Sequence, residues 1–299
     1  MKTFLLAILI TTFSFVVVQS ATIHVDANAD ADGDGSLELP YKSFADALDS
    51  AHNDDTILVK GGEGQVYDDY PYDVWQTNLT VTACGSGRPL FSITGGKVER
   101  HTGAFSVSGP GFSLRGVELY GNRPACSEEE SALVWVLAGA HNPLFEDNHF
   151  EWDTADSIPM GSAVSQAISA NVTNMVARNN FIKNSNYQYS NRSIFNFGNY
   201  ALVVGNVFTN TQTAVAFGNY SVAVSNTIIN SNCKNGSLSR AGWGVGKSAT
   251  FAFNIIYQNN GITNPAILKN REGFTAVSAD SPTRIFNNTV IGASSLVRC

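Results

Sequence analysis

Phe197-Gly198-Asn199-Tyr200-Ala201-Leu202-Val203-Val204-Gly205-Asn206-Val207-Phe208-Thr209-Asn210 is echoed twenty positions later by Phe217-Gly218-Asn219-Tyr220-Ser221-Val222-Ala223-Val224-Ser225-Asn226-Thr227-Ile228-Ile229-Asn230. An internal period of this size marks a unit that cannot bury its apolar side alone and must stack on its neighbours. The echo therefore predicts a solenoid, and its register predicts which side chains face the core.

Anchored on the Asn that precedes an apolar pair, the unit recurs at Asn148, Asn180, Asn206, Asn226, Asn254 and Asn288, with an Asn-less version around Gly116 in Leu114-Arg115-Gly116-Val117-Glu118-Leu119. Successive anchors are 32, 26, 20, 28 and 34 residues apart, the pattern of a short core that accepts surface insertions. Two residues after each anchor stand Phe150, Ile182, Phe208, Ile228, Ile256 and Val290, and three before it Phe145, Ala177, Val203, Ala223, Phe251 and Ile285. Both columns are expected to point inward. Short β-branched runs bounded by Asn, Gly and Ser read as strands, too short for helices. Two or three strands in about twenty residues make one coil of an all-β parallel β-helix. The anchor Asn residues, stacked at a bend, predict a ladder of amide hydrogen bonds; the alternative is Asn present only for turn geometry.

Hydrophobic residues make up 43% and charged residues 14% of the 299-residue chain, which carries a net charge of −7. With no basic cluster, nucleic acid is excluded as a partner, because neutralising phosphates needs grouped Lys and Arg. Lys2 followed by the apolar run Phe4 to Val18 and the small residues at Ser20 and Ala21 has the pattern of a secretory signal peptide, too short to span a membrane. The expected divisions are a signal peptide over 1–20, an N-terminal cap over 21–60 and β-helix coils over 61–299. In a secreted chain the sequons at Asn78, Asn171, Asn191, Asn219, Asn235 and Asn287 predict N-glycosylation. Cys84, Cys126, Cys233 and Cys299 are an even set suited to structural bridges, with Cys84–Cys126 and Cys233–Cys299 preferred among three connectivities.

Residues 23 to 60 differ in kind. Ile23-His24-Val25 and Thr56-Ile57-Leu58-Val59 read as strands around an acidic loop and a short helix from about Phe44 to Ala51. Ser43 with Asp46 forms a capping pair, and Phe44, Ala47, Leu48 and Ala51 one apolar stripe. Such a helix suits the open end of a β-helix, covering apolar interior and strand edges. Val25-Asp26, Asp34-Gly35-Ser36, Pro40-Tyr41-Lys42-Ser43, Ala47-Leu48, Asp55-Thr56-Ile57-Leu58-Val59 and Cys84-Gly85-Ser86-Gly87-Arg88-Pro89-Leu90-Phe91 resemble the N-terminal region of secreted right-handed parallel β-helix proteins of the pectate-lyase-like superfamily. The resemblance implies that handedness. It leaves activity open, because the superfamily includes lyases, hydrolases, epimerases, adhesins and surface proteins.

The motifs of carbohydrate-cleaving relatives are missing. There is no Asn-Thr-Asp, Asp-Asp and Gly-His-Gly set, no Arg-x-Pro-x-x-Arg and no Asp-Pro-His-Asp; Asp54-Asp55 and Asp68-Asp69 lie early in the chain without a recognisable acid/base partner. A lyase would use Lys or Arg as base beside a cation-neutralised carboxylate. The register makes Lys183 and Arg178 the candidate bases, with Glu146 and Glu151 binding substrate in one exposed patch; the competing reading is two cross-strand ion pairs. Lys269 and Arg271, read as a loop, are a second pair. Asn28, Asp30, Asp32 and Asp34 resemble the start of a calcium loop, but Leu39 stands where its bidentate acid is required. Calcium is the one cofactor with a candidate site, and a solvated acidic loop is the alternative. Tyr200 and Tyr220, equivalent in successive coils, are a candidate sugar-stacking platform. The five histidines have no metal-ligand spacing.

The expected function is a secreted, N-glycosylated β-helix acting without catalysis as an extracellular coat or surface protein, with glycans or surface proteins as partners. The alternative is a divergent polysaccharide lyase acting on acidic polysaccharide.

Overall fold

The computed structural model describes residues 20–94, 104–123, 131–154, 164–184, 190–196, 198–211, 213–229, 240–243, 247–257, 266–269, 283–291 and 295–298. The expected signal peptide lies outside them, apart from its last residue. Among them the strands form three parallel sheets, here I, II and III, of ten, nine and nine strands. Each turn of the right-handed helix contributes one strand to each sheet in that order, as in Leu144–Glu146, His149–Thr154 and Val164–Ala170. The twenty-residue echo is turn on turn. Leu202, Val203 and Val204 pair in register with Val222, Ala223 and Val224, and Val207, Phe208 and Thr209 with Thr227, Ile228 and Ile229.

Both expected inward columns line the core. Phe145, Ala177, Val203, Ala223 and Phe251 of sheet I, and Phe150, Ile182, Phe208, Ile228 and Ile256 of sheet II, are buried, with Ile285 and Val290 packed against them. Sheet III closes the triangle with Val134, Ile168, Ile194 and Val215. Removing these β-branched and aromatic groups from water is the main stabilising term.

The bend between sheets I and II carries the Asn ladder. Asn180 donates its backbone N–H (2.9 Å) and its Nδ2 (2.9 Å) to Oδ1 of Asn206. The same pair of bonds links Asn148 to Asn180, Asn206 to Asn226, Asn226 to Asn254 and Asn254 to Asn288. Each Nδ2 also donates to a carbonyl of the preceding turn, as from Asn206 to Ala177 (2.9 Å). At the head of the ladder Val117, not Gly116, occupies the Asn position and donates its N–H to Oδ1 of Asn148 (3.1 Å). The residue before each ladder position turns the corner in the left-handed region: Gly116, Asp147, Asn179, Gly205, Ser225, Phe253 and Asn287 have φ between 51° and 70°. Gly116 and Gly205 take this conformation without steric penalty, whereas Phe253 is a bulky residue there.

The helix Phe44–Ser50 plugs the N-terminal end. Oγ of Ser43 accepts the N–H of Asp46 (3.1 Å), so the expected cap is formed. The Phe44 ring meets Tyr72, Phe91 and Phe105 at centroid distances of 4.8, 4.9 and 5.7 Å. Asp69, unassigned from the sequence, reinforces the cap: its carboxylate accepts from Ser43 Oγ (2.6 Å), Ala45 N–H (3.0 Å) and Tyr72 OH (2.6 Å). Desolvation alone would raise the Asp69 pKa, but the bonds from Ser43, Tyr72 and Ala45 outweigh it and hold the carboxyl below the usual range. A depressed folded-state pKa gives stability that is present above the unfolded value of about 3.9 and lost as pH falls through the folded value. Asp69→Asn is therefore expected to flatten the acid limb of the unfolding midpoint below about pH 4. Thermal unfolding followed across that range checks it, and an unchanged acid limb would refute the assignment.

Candidate functional site

The two candidate bases and the two candidate substrate-binding acids sit on two faces, on either side of the ladder bend. On sheet I, Glu146 and Arg178 are in register, with Arg178 Nε 2.7 Å from Glu146 Oε1. On sheet II, Glu151 and Lys183 are in register, with Lys183 Nζ 2.7 Å from Glu151 Oε1. Each base is thus joined to its own acid, as in the alternative of two cross-strand ion pairs. The hydrogen bond and charge of Glu146 hold the Arg178 guanidinium pKa above its ordinary value, and the bond from Arg178 holds Glu146 below its own. That shift is opposite to what a proton-abstracting arginine needs.

Further charged groups surround these pairs. Arg115 donates from Nε to Ser113 Oγ (2.8 Å) and lies 3.8 Å from Glu146. Arg88 reaches across Gly116 to the carboxylate of Asp147 (2.9 Å) and also donates to its carbonyl. Arg88, Arg115, Gly116, Glu146 and Asp147 border an open cleft of about 550 Å³. On sheet II, His149 lies 3.6 Å from both Glu118 and Glu151, with its ring edge-on to Phe181. Arg115 was findable in the sequence: it stands two before the ladder position, as Glu146 and Arg178 do.

The acidic loop does not converge on a point. Asp32 accepts the N–H of Lys42 (3.0 Å) and Asp34 that of Ser36 (3.0 Å), while Asn28 Nδ2 donates to the Glu63 carbonyl (3.4 Å). The Asp34–Ser36 bond is a local turn bond and lowers the Asp34 pKa, whereas the other two tie the loop to more distant backbone. Among the described residues no group of three or more His, Cys, Asp or Glu is placed to hold a metal.

Asn78, Asn171 and Asn287 are exposed and Asn219 is half-buried. Asn78 Nδ2 donates to Asp54 (2.8 Å), and Asn219 Oδ1 accepts from the N–H of Lys247 (2.8 Å). Asn191 belongs to the strand Ser190–Asn196, its side chain outside the described set, and Asn235 lies outside altogether. Cys84 is a free, half-buried thiol; its expected partner Cys126, with Cys233 and Cys299, lies outside the described residues.

Tyr200 and Tyr220 stack face to face at 5.2 Å with 13° between their planes. Their facing surfaces cover each other, which is mutual support and not a flat platform for sugars.

A different row emerges on the outer side of sheet III. Trp135, Ser169, Phe195, Ala216 and Trp243 stand in register on successive turns. Val134 and Val136 flank Trp135 in the core, and Ile194 lies beside Phe195, so alternation turns both rings outward, where they are half-buried. Lys269 continues this row in the strand Ala266–Lys269, not in a loop as expected, and Arg271 lies outside the described residues. Gln166, Arg192, Thr213 and Arg240 form a second register on the same sheet.

No family model matches the chain, and no curated protein matches its sequence. Solved structures match in shape. The GH136 lacto-N-biosidase from Eubacterium ramulus superposes with a TM-score of 0.53 at 10% identity, covering 90% of this chain and 67% of that one. The pectate lyase Pel9A does so with a TM-score of 0.52 at 16% identity, covering 93% and 78%. At such identities the likeness is one of fold: the chain is a right-handed parallel β-helix, as its repeat and its N-terminal resemblance implied. Among the described residues no helix is long and apolar enough to cross a membrane.

Proposed function

We propose that this protein is a secreted, N-glycosylated β-helix that binds glycan along the outer face of sheet III without transforming it, as part of an extracellular coat or surface. The row from Trp135 through Phe195 to the register position of Trp243 carries the reading, because half-buried rings on a rigid sheet offer apolar contact to sugar C–H groups at little entropic cost. Two further facts support it. The names of the two structural neighbours are those of enzymes acting on carbohydrate, and the candidate bases Arg178 and Lys183 are both held in ion pairs.

A divergent polysaccharide lyase is the second reading. Arg192 and Arg240 share a register on sheet III, and Lys269 follows Trp243 in the next turn, so cationic residue types recur along the same sheet. One experiment separates the two: the purified protein is incubated with a panel of neutral and acidic polysaccharides, with and without calcium. Retention on a glycan, weakened by Trp135→Ala and without absorbance from unsaturated ends, is the expected result. Release of unsaturated ends that Arg192→Ala or Arg240→Ala abolishes would establish the lyase. Retention on no glycan would remove both.

A further inference from the structure

The residues that turn the ladder bend form a column along the helix, one per turn, and six of the seven are Gly, Asp, Asn or Ser, types that suit a left-handed turn. Phe253 is the seventh, and its ring is 54% exposed. Burial within the chain therefore does not account for a bulky residue in that conformation. Phe286, 43% exposed, stands edge-on to it, with centroids 5.5 Å apart and 84° between the planes. With Ile255, 49% exposed, the two rings make an apolar corner that no described residue covers.

Beside that corner lies the sequon Asn287-Asn288-Thr289. Asn287 follows Phe253 in the column, because Ala252 pairs with Phe286 on one side of them and Asn254 bonds to Asn288 on the other. Asn287 and Thr289 are both exposed, and among the described residues the Asn287 amide makes no hydrogen bond, whereas Asn78 and Asn219 are tied to Asp54 and Lys247. Tyr200 and Tyr220 show how successive left-handed residues hold their side chains: with φ of 61° and 57°, their rings lie 5.2 Å apart and 13° from parallel. Phe253 and Asn287 have φ of 56° and 51°. A sugar joined to Asn287 extends from the backbone about as far as an aromatic ring, so it takes the place over Phe253 that Tyr220 takes over Tyr200.

We infer that Asn287 carries an N-glycan whose first N-acetylglucosamine packs its C–H face on Phe253 beside Phe286, an inference that rests on the N-glycosylated reading above. The transfer forms a bond from Asn287 Nδ2 to the sugar C1 and breaks the C1–O bond to a lipid-linked pyrophosphate donor, with loss of one amide proton. The sugar removes from water the apolar corner that the chain leaves open, while its hydroxyl groups stay solvated.

Glycopeptide mass spectrometry on the full chain, secreted from a eukaryotic host, is expected to find glycan on Asn287. Thr289→Val removes the sequon and keeps Asn287. It is expected to raise binding of an apolar-surface dye and to lower the thermal midpoint by about 2 °C. Trimming the glycans enzymatically to their first sugar is expected to change neither. In a Phe253→Asn background, which puts a turn-tolerant residue at the bend, Thr289→Val is expected to lose both effects. Asn287 unmodified while other sequons carry glycan, or dye binding equal with and without the Asn287 sugar, would overturn the inference and leave the glycoprotein standing. Asn287 unmodified in a chain that sediments as a dimer, dissociated by Phe253→Asn, would assign the corner to a second copy instead. Glycan at no sequon would overturn both readings.

Discussion

Replacing Asn206 by Ala is expected to destabilise the protein by about 3 to 5 kcal/mol, more than any exposed substitution, because it strips partners from buried backbone. Asn206 is fully buried. Its Oδ1 serves the N–H and Nδ2 of Asn180, and its Nδ2 serves the carbonyls of Ala177 and Val204 and Oδ1 of Asn226. Alanine leaves the buried Asn180 N–H unpaired and strips one bond each from Asn180 Nδ2, the Ala177 carbonyl and Asn226 Oδ1, at about 1 to 3 kcal/mol for a buried group left without a partner. For a chain of this size the thermal midpoint should fall by roughly 10 °C. Asn288, at the far end of the ladder, is only part-buried. Water can replace its bonds, so Asn288→Ala should cost about 1 kcal/mol or less. Equal losses at the two sites would contradict a stabilising role that depends on burial of the ladder.

Gly198→Ala should be at least as damaging, for a steric reason. A Cβ on Gly198 would stand 1.9 Å from the backbone oxygen of Val172 and 2.4 Å from its carbonyl carbon. The neighbour is main chain and cannot rotate away. It is also clamped, because Asn196 accepts the Val172 N–H (3.1 Å), donates to the Val172 carbonyl (3.1 Å) and accepts the Gly198 N–H (2.9 Å). Relieving the clash means prying apart two turns and breaking that clamp, a loss of about 3 kcal/mol or more. The expected readout is a denaturation midpoint lowered by roughly 10 °C, or failure to accumulate folded protein. A midpoint within a degree or two of the parent would show that the turns tolerate separation.

The parts of the fold that were legible in the sequence are those at constant distance from the ladder. Phe145 and Phe150 keep fixed offsets from Asn148, and the same offsets recur at Asn180, Asn206, Asn226 and Asn254, so sheets I and II could be read directly. Sheet III could not. Ile168 follows Asn148 by 20 residues, Ile194 follows Asn180 by 14 and Val215 follows Asn206 by 9, although all three share one register. Insertions of different length between sheets II and III erase the period, and the Trp135–Phe195 row was hidden with it. Lys269 was read as loop for the same reason. The two ion pairs were legible as register and stood in the sequence as the alternative to one patch, but spacing along the chain does not tell that a bend separates Glu146 from Glu151. The capping pair of Ser43 and Asp46 was readable because it is local, whereas Asp69 reaches Ser43 from 26 residues away.

The amide ladder also has a direction. Every Asn side chain hands its acceptor to the turn before it and its Nδ2 bond to a carbonyl of that same earlier turn, while its neighbour ahead loses only one of two donors if the side chain is removed. Each turn is therefore completed by its successor. In a chain emerging from the ribosome, a turn stays provisional until the next has arrived, and damage to one rung travels toward the N-terminus and not away from it.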